Sequence, residues 1–249
     1  MKMELRHLMI LGGGAMAVGI SSVAFAGHDP VIYDNGASDY NIGSPASQLD
    51  PVYPFDAGAA DDFILGPSGQ GDDSWLITDV HWSGVYFGPG FPGNNPLTDF
   101  NIIFWADAGG MPDGGQAPGL PPDYSLALAI YNIPGNANQT LAPGGDGVNN
   151  FDYWVDLPTP FNAQANTSYW IEIQAVMIFQ PQWAFQQTAN QQGGVTHQGF
   201  DVLNLAFWTP AAGQSDSAFS LTGTPIPAPG ALALLGVAGL AGMRRRRRK

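Results

Sequence analysis

Apolar and polar side chains alternate in short stretches along most of this chain, and Gly, Pro, Asn and Asp interrupt them. From Trp75 to Phe87, Val80, Trp82, Gly84 and Tyr86 fall on one face of an extended backbone and Asp79, His81, Ser83 and Val85 on the other. That period of two is the signature of a strand. Phe100 to Trp105 is apolar on both faces, as in a strand covered by two layers. Leu126, Leu128 and Ile130 alternate with Ala127, Ala129 and Tyr131, and Tyr169, Ile171 and Ile173 with Trp170, Glu172 and Gln174. Shorter candidates are Val31 to Tyr33, Asp62 to Leu65, Phe151 to Val155, Val202 to Trp208 and Ala218 to Leu221. No window carries a helical apolar period. About nine strands without a helix predict an all-β domain, an antiparallel β-sandwich of jelly-roll-like arrangement, with an up-and-down barrel as the alternative. The domain is expected over residues 27–221, with long Gly-, Pro-, Asn- or Gln-rich loops at 88–96, 109–123, 134–150 and 186–199. Residues 222–230 read as a linker, and no internal repeat or second domain boundary is visible.

The two ends break this pattern. Lys2 and Arg6 precede an apolar run from Leu8 to Phe25, and Ala24 and Ala26 bracket Phe25 at a small-residue cleavage position, so residues 1–26 read as a secretory signal peptide cut after Ala26. At the other end, Pro227-Ala228-Pro229 leads to an apolar run from Ala231 to Met243 and then to Arg244, Arg245, Arg246, Arg247, Arg248 and Lys249. As a helix those 13 residues reach only ~20 Å, against a hydrocarbon core of ~30 Å. A marginal span locked by a basic cap suits a sorting signal, holding the chain transiently or permanently in the inner membrane. This tail resembles the PEP-CTERM sorting signal of exported bacterial proteins, although the usual central Glu is here Ala228. The resemblance covers about the last 25 residues. It implies a Gram-negative-type envelope, passage through the export machinery, handling by an exosortase-type processing enzyme, and delivery to the cell surface or extracellular matrix. It implies no activity.

Charge sharpens the picture. All eight Lys and Arg lie in the two terminal segments, so residues 27–243 contain none. Of the 21 acidic residues only Glu4 is in the leader; 21 less 1 leaves a formal charge of −20 on the domain, with Glu172 its one Glu. Such a domain cannot neutralise phosphates, which excludes ordinary nucleic-acid binding and docking on anionic lipid. With no Cys there is neither a disulfide framework nor a thiolate metal site.

Candidate chemistry is sparse. His28, His81 and His197 are far apart and form no metal-ligand spacing. No Gly-x-Ser-x-Gly elbow accompanies a Ser-His-Asp set, and no catalytic residue is assigned. Glu172, next to Trp170 and Ile171, is the acid best placed for a burial-raised pKa, as one member of a glycosidase pair or as a plain strand residue. Trp75, Trp183 and Trp208 lie near strand ends and loops and form either a sugar-stacking platform or core filling. Asp61, Asp62, Asp107 and Asp113, close to glycines, offer oxygens to a structural calcium ion or constitute generic surface acidity. The expected function is that of a non-enzymatic, exported surface or matrix protein, adhesive or weakly binding an extracellular polysaccharide. The alternative is a secreted carbohydrate-active enzyme of glycoside-hydrolase type.

Overall fold

Two faces of alternating strands need two cores or one core and water, and this chain builds two cores. The computed structural model describes residues 29–53, 55–69, 73–88, 97–115, 119–135, 138–142, 149–201 and 207–226. The expected signal peptide with Ala24 and Ala26, and the sorting motif with Pro227, Ala228, Pro229, Arg244, Arg245 and Arg246, lie outside the described residues. The fold is all-β, in two sheets. The first has the order β1 (Val31–Asp34), β13 (Phe219–Pro225), β4 (Ser74–Phe87), β8 (Asn150–Gln164) and β7 (Asn138–Leu141). Where β13 stops pairing at Trp82, β10 (Gln182–Phe185) takes over the same edge of β4 from Gly84 to Phe87. The second runs β12 (Thr209–Pro210), β11 (His197–Phe200), β3 (Phe55–Ile64), β2 (Gln48–Asp50), β9 (Ser168–Met177), β5 (Leu97–Ala106) and β6 (Ala129–Pro134). All pairs are antiparallel except β2 with β9.

The main core fills the gap between the sheets. From β4 come Val80, Trp82 and Tyr86, on the face that their alternation predicts, and opposite them stand Phe100, Ile102, Phe104, Ile171 and Ile173. Aromatic rings interlock here: Trp82 stacks on Tyr153 at 5.4 Å, Phe104 on Phe161 at 4.2 Å, and Trp183 meets Phe100 edge-on at 5.2 Å. A second, smaller core lies on the outer face of the larger sheet, where Ala60, Ile103, Trp105 and Trp170 pack against Phe207 and Trp208. Tyr124 and Ala127, in and just after a 3-10 turn at Tyr124–Leu126, pack against that core.

Several expectations shift. Strand β6 starts at Ala129 rather than Leu126, because Asp123 caps the 3-10 turn by accepting from the Ser125 backbone N–H at 3.1 Å. Strand β13 pairs with β4 as far as Pro225, so residues 222–225 belong to the sandwich and not to a linker. Trp208 is buried in the outer core instead of ending a strand. Among the described residues no helix is long and apolar enough to cross a membrane.

Candidate functional site

Register places the acids. On β3, Asp56, Gly58, Ala60 and Asp62 alternate with Ala57, Ala59, Asp61 and Phe63. Ala59 and Phe63 belong to the inter-sheet core and Ala60 to the outer core, so Asp61 points inward while Asp56 and Asp62 point out. Glu172 pairs with both Ala60 and Ile103, which sets it in the middle of the outer face.

There Glu172 is completely buried. Its Oε2 accepts from Trp105 Nε1 at 3.0 Å, and its Oε1 has no hydrogen-bond partner among the described residues. Gly58 makes room for it, since a Cβ at that position would lie 2.5 Å from Oε1 and 3.1 Å from Trp208. Asp56 stands in the same layer. It accepts from Tyr124 Oη at 2.8 Å and from Gln174 Nε2 at 2.6 Å. A relay of amides runs on to the sheet edge, Asn101 donating to Gln174 and Asn132 to Asn101. Burial pushes the Asp56 carboxyl up to about 6, in spite of those two donors and with some help from Asp201. Burial, then the Asp56 charge, holds Glu172 well above the usual carboxylate range against the Trp105 bond. The pair is therefore a couple of buried carboxyls of raised proton affinity, roofed by Trp105, Tyr124 and Trp208.

A second locus lies toward the far end of β3. Asp61 accepts from Asn35 Nδ2 at 3.1 Å and from the Ser217 backbone N–H, and burial followed by the charge of Asp216 raises its pKa. Asp216 accepts from the Gln192 N–H at 2.6 Å and is also raised, by burial first. Asp62 accepts from the Gly194 N–H at 2.7 Å, and burial outweighs that bond to raise it too. Next to Asp62 an open pocket of about 420 Å³ is lined by Tyr33, Asp34, Ile64 and Gln192. His197 binds the Val195 carbonyl through Nδ1 at 2.9 Å and meets Trp170 edge-on, and burial lowers its pKa.

The expected sets do not assemble. Asp61 and Asp62 are chain neighbours on a strand and face opposite ways. Asp107 is engaged by Trp170 Nε1 at 2.8 Å and by the Gly109 and Gly110 N–H groups of its own turn. Asp113 sits across that turn, its backbone N–H bonded to Ala106. Among the described residues no three His, Asp or Glu side chains are placed to hold one metal ion. The three tryptophans occupy three environments. Trp183 is in the inter-sheet core, Trp208 in the outer core, and Trp75 is half-buried with its indole N–H on the Gly66 carbonyl at 2.9 Å. Two of the three rings have no face free for a sugar, because interior packing of so large an apolar ring outweighs exposure.

On the other outer surface, His81 Nε2 meets Asp79 Oδ1 at 2.8 Å and its ring stacks on Trp154. Ser83 on the same strand face donates instead to Asp152 at 2.6 Å, so nucleophile and base are not joined as a Ser-His-Asp triad requires. Asp56, Tyr124, Gln174 and Asp216 carried no motif. The one available signal was the acid-Gly-Ala-acid alternation of β3, whose small residues leave space over a strand face. No protein-family model matches this chain, and neither does any curated protein or solved structure.

Proposed function

We propose that this is an exported protein of the cell surface or extracellular matrix, a jelly-roll-like sandwich that acts by binding rather than by catalysis. In this reading residues 1–26 are the signal peptide, and residues 231–249 are an apolar helix with a basic tail, read by an exosortase-type enzyme. The observation that carries it is the confinement of all eight Lys and Arg to the two terminal segments. A domain of twenty acids and no cation is suited to export between two basic signals, and to little that involves phosphate.

The sandwich supports the reading. Gly223 N–H bonds to the Pro30 carbonyl at 3.0 Å and Ile226 N–H to the Ser74 carbonyl at 2.9 Å, so Pro30 and Ile226 lie at one end of the sandwich. The glycoside-hydrolase alternative draws on Asp56 and Glu172, whose pKa values are raised as a general acid needs. Against it, Glu172 has no exposed surface and lies under Trp105 and Trp208, out of reach of a glycosidic oxygen.

The test is delivery. Neutral residues in place of Arg244 to Lys249 remove the charge that halts translocation. Protease accessibility on intact cells, with fractionation, should show the variant lost from the surface. Unchanged delivery would overturn the proposal.

A further inference from the structure

The structure assigns a second role to the end of the sandwich opposite Pro30 and Ile226: a binding surface for a neutral polysaccharide. The inference rests on the surface-protein reading above and supplies its ligand class. Pro225 pairs with Trp75 at the start of β4, and Phe87 ends that strand twelve residues on, roughly 40 Å away at ~3.3 Å per residue. Leu97 pairs with Met177 at this same distal end, and Asp50 with Phe55.

Five large apolar side chains emerge there. Val52 is 60% exposed, Tyr53 62%, Phe87 49%, Ile178 48% and Phe179 45%, values that interior packing would have reduced to near zero. One carboxylate holds the backbone of three of them, Val52, Tyr53 and Phe179. Asp50 Oδ1 accepts from the Val52 and Tyr53 N–H groups at 2.8 and 3.0 Å, and Oδ2 accepts from the Phe179 N–H at 2.8 Å. One side chain thus clamps the β2–β3 turn to the β9–β10 connection and fixes the backbone under both exposed rings. Gln182, three residues after Phe179, pairs with Phe87, and the exposed Gln180 lies between them. A backbone fixed before the ligand arrives loses little freedom on binding, and exposed apolar patches mark interaction surfaces.

Charge selects the occupant. The domain carries a formal −20 and no Lys or Arg. Phosphate, sulfate and uronate polymers and anionic lipid are repelled, and a second copy brings the same charge. An uncharged sugar chain is not repelled. Its pyranose rings present C–H faces that stack on Tyr53, Phe87 and Phe179, and rim hydroxyls that the Gln180 amide can bond. This moves the aromatic platform away from Trp75, Trp183 and Trp208 to residues without a sequence motif.

The experiment uses the full-length chain in detergent, incubated with insoluble cellulose, β-1,3-glucan and mannan and with an acidic alginate gel, free protein being measured after sedimentation. Retention is expected on at least one neutral polymer and not on alginate. Tyr53→Ala with Phe179→Ala should weaken it by about tenfold or more. Phe87→Ala, a separate exposed change, should weaken it independently. Leu128→Ala with Ile130→Ala, which removes comparable exposed apolar surface on and beside β6, should leave it unchanged. No retention on any neutral polymer overturns the proposal, as does equal retention of the Tyr53/Phe179 variant. So does self-association by analytical ultracentrifugation that the same variant abolishes, which would make a second copy the occupant. Binding by purified protein is independent of delivery in the cell, so failure here leaves the surface-protein reading standing, and failed delivery leaves this one.

Discussion

Asp56 shows how a single carboxyl in this chain ties stability to pH. Its ordinary value is 3.8 and burial lifts it to about 6 in the folded state. A group raised on folding stabilises fully below its unfolded value, and that contribution is lost as pH rises through the folded one. Two units correspond to about 3 kcal/mol, lost between roughly pH 4 and 6. Asp61, Asp62, Glu172 and Asp216 are shifted the same way. Asp50 opposes them: three backbone N–H bonds outweigh its burial and hold it below the ordinary value, so its contribution is lost as pH falls through that lowered value. Four raised carboxyls in addition to Asp56 outnumber it. Thermal melts from pH 4.5 to 8 should show the midpoint falling as pH rises, and Asp56→Asn should flatten the slope below pH 6. Glu172→Gln, which keeps the shape and removes the cost of burying an ionisable carboxyl, should raise the midpoint at pH 7. A midpoint higher at pH 8 than at pH 5 would contradict all three statements. Glu172 is legible in the sequence, being an acid next to Trp170 and Ile171 on an alternating strand. Asp56 was not, because Phe55-Asp56-Ala57-Gly58 has the composition of a turn, and only the roof over β3 gives those small residues a purpose.

Among the elements, β4, β5 and β9 are legible over most of their length, β3 and β8 only in part, and most of the short strands not at all. Strands β4, β5 and β9 each span ten or more residues, enough for alternation to be read. Strands β2, β7, β10, β11 and β12 have two to four residues, many of them polar, too few to show a period. In β8 the prolines at 158 and 160 hid the continuation. They cannot donate to a ladder, and the pairing with β4 skips from Asp156 to Phe161 around them. Gly84 on β4 had been assigned to the inward face without a reason for lacking a side chain. The reason is Trp183, whose ring would lie 2.2 Å from a Cβ there. Trp183 is buried against Phe100 and Tyr153 and cannot retreat. Gly84→Ala should therefore destabilise by about 3 kcal/mol, the upper end for overpacking a core. Gly66→Ala, with nothing within 4 Å of the new methyl, should change stability by less than about 0.5 kcal/mol. Urea unfolding of the two variants compares them directly, and equal midpoints would show that β4 and β10 part easily.

Twenty acids without a Lys or Arg give residues 27–243 a field that no Lys or Arg ion pair within that stretch relieves. The described domain answers it locally. Asp34, Asp39, Asp50, Asp107 and Asp123 cap turns through backbone N–H groups, and burial raises the proton affinity of Asp61 and Glu172. What remains is long-range repulsion among surface carboxylates, which opposes compaction. Mobile ions weaken it over distances beyond the Debye length, about 8 Å at 0.15 M and ~30 Å at 0.01 M. Raising sodium chloride from 0.01 to 0.5 M should therefore raise the melting midpoint progressively. Calcium tests something narrower. A cation bound only by the folded state adds RT ln(1 + [L]/Kd), about 2.7 kcal/mol at a hundredfold excess over Kd. Asp61 faces the core, Asp62 the outer surface, and Asp107 is committed to Trp170 and its own turn, so these residues and Asp113 do not supply one coordination sphere. Millimolar calcium should accordingly shift the midpoint no further than sodium at equal ionic strength, with a chelator arm as the baseline. A larger shift would restore a specific calcium site. Its loss in Asp62→Asn or Asp216→Asn would place that site beside the 192–194 loop, and its persistence in both would place it elsewhere.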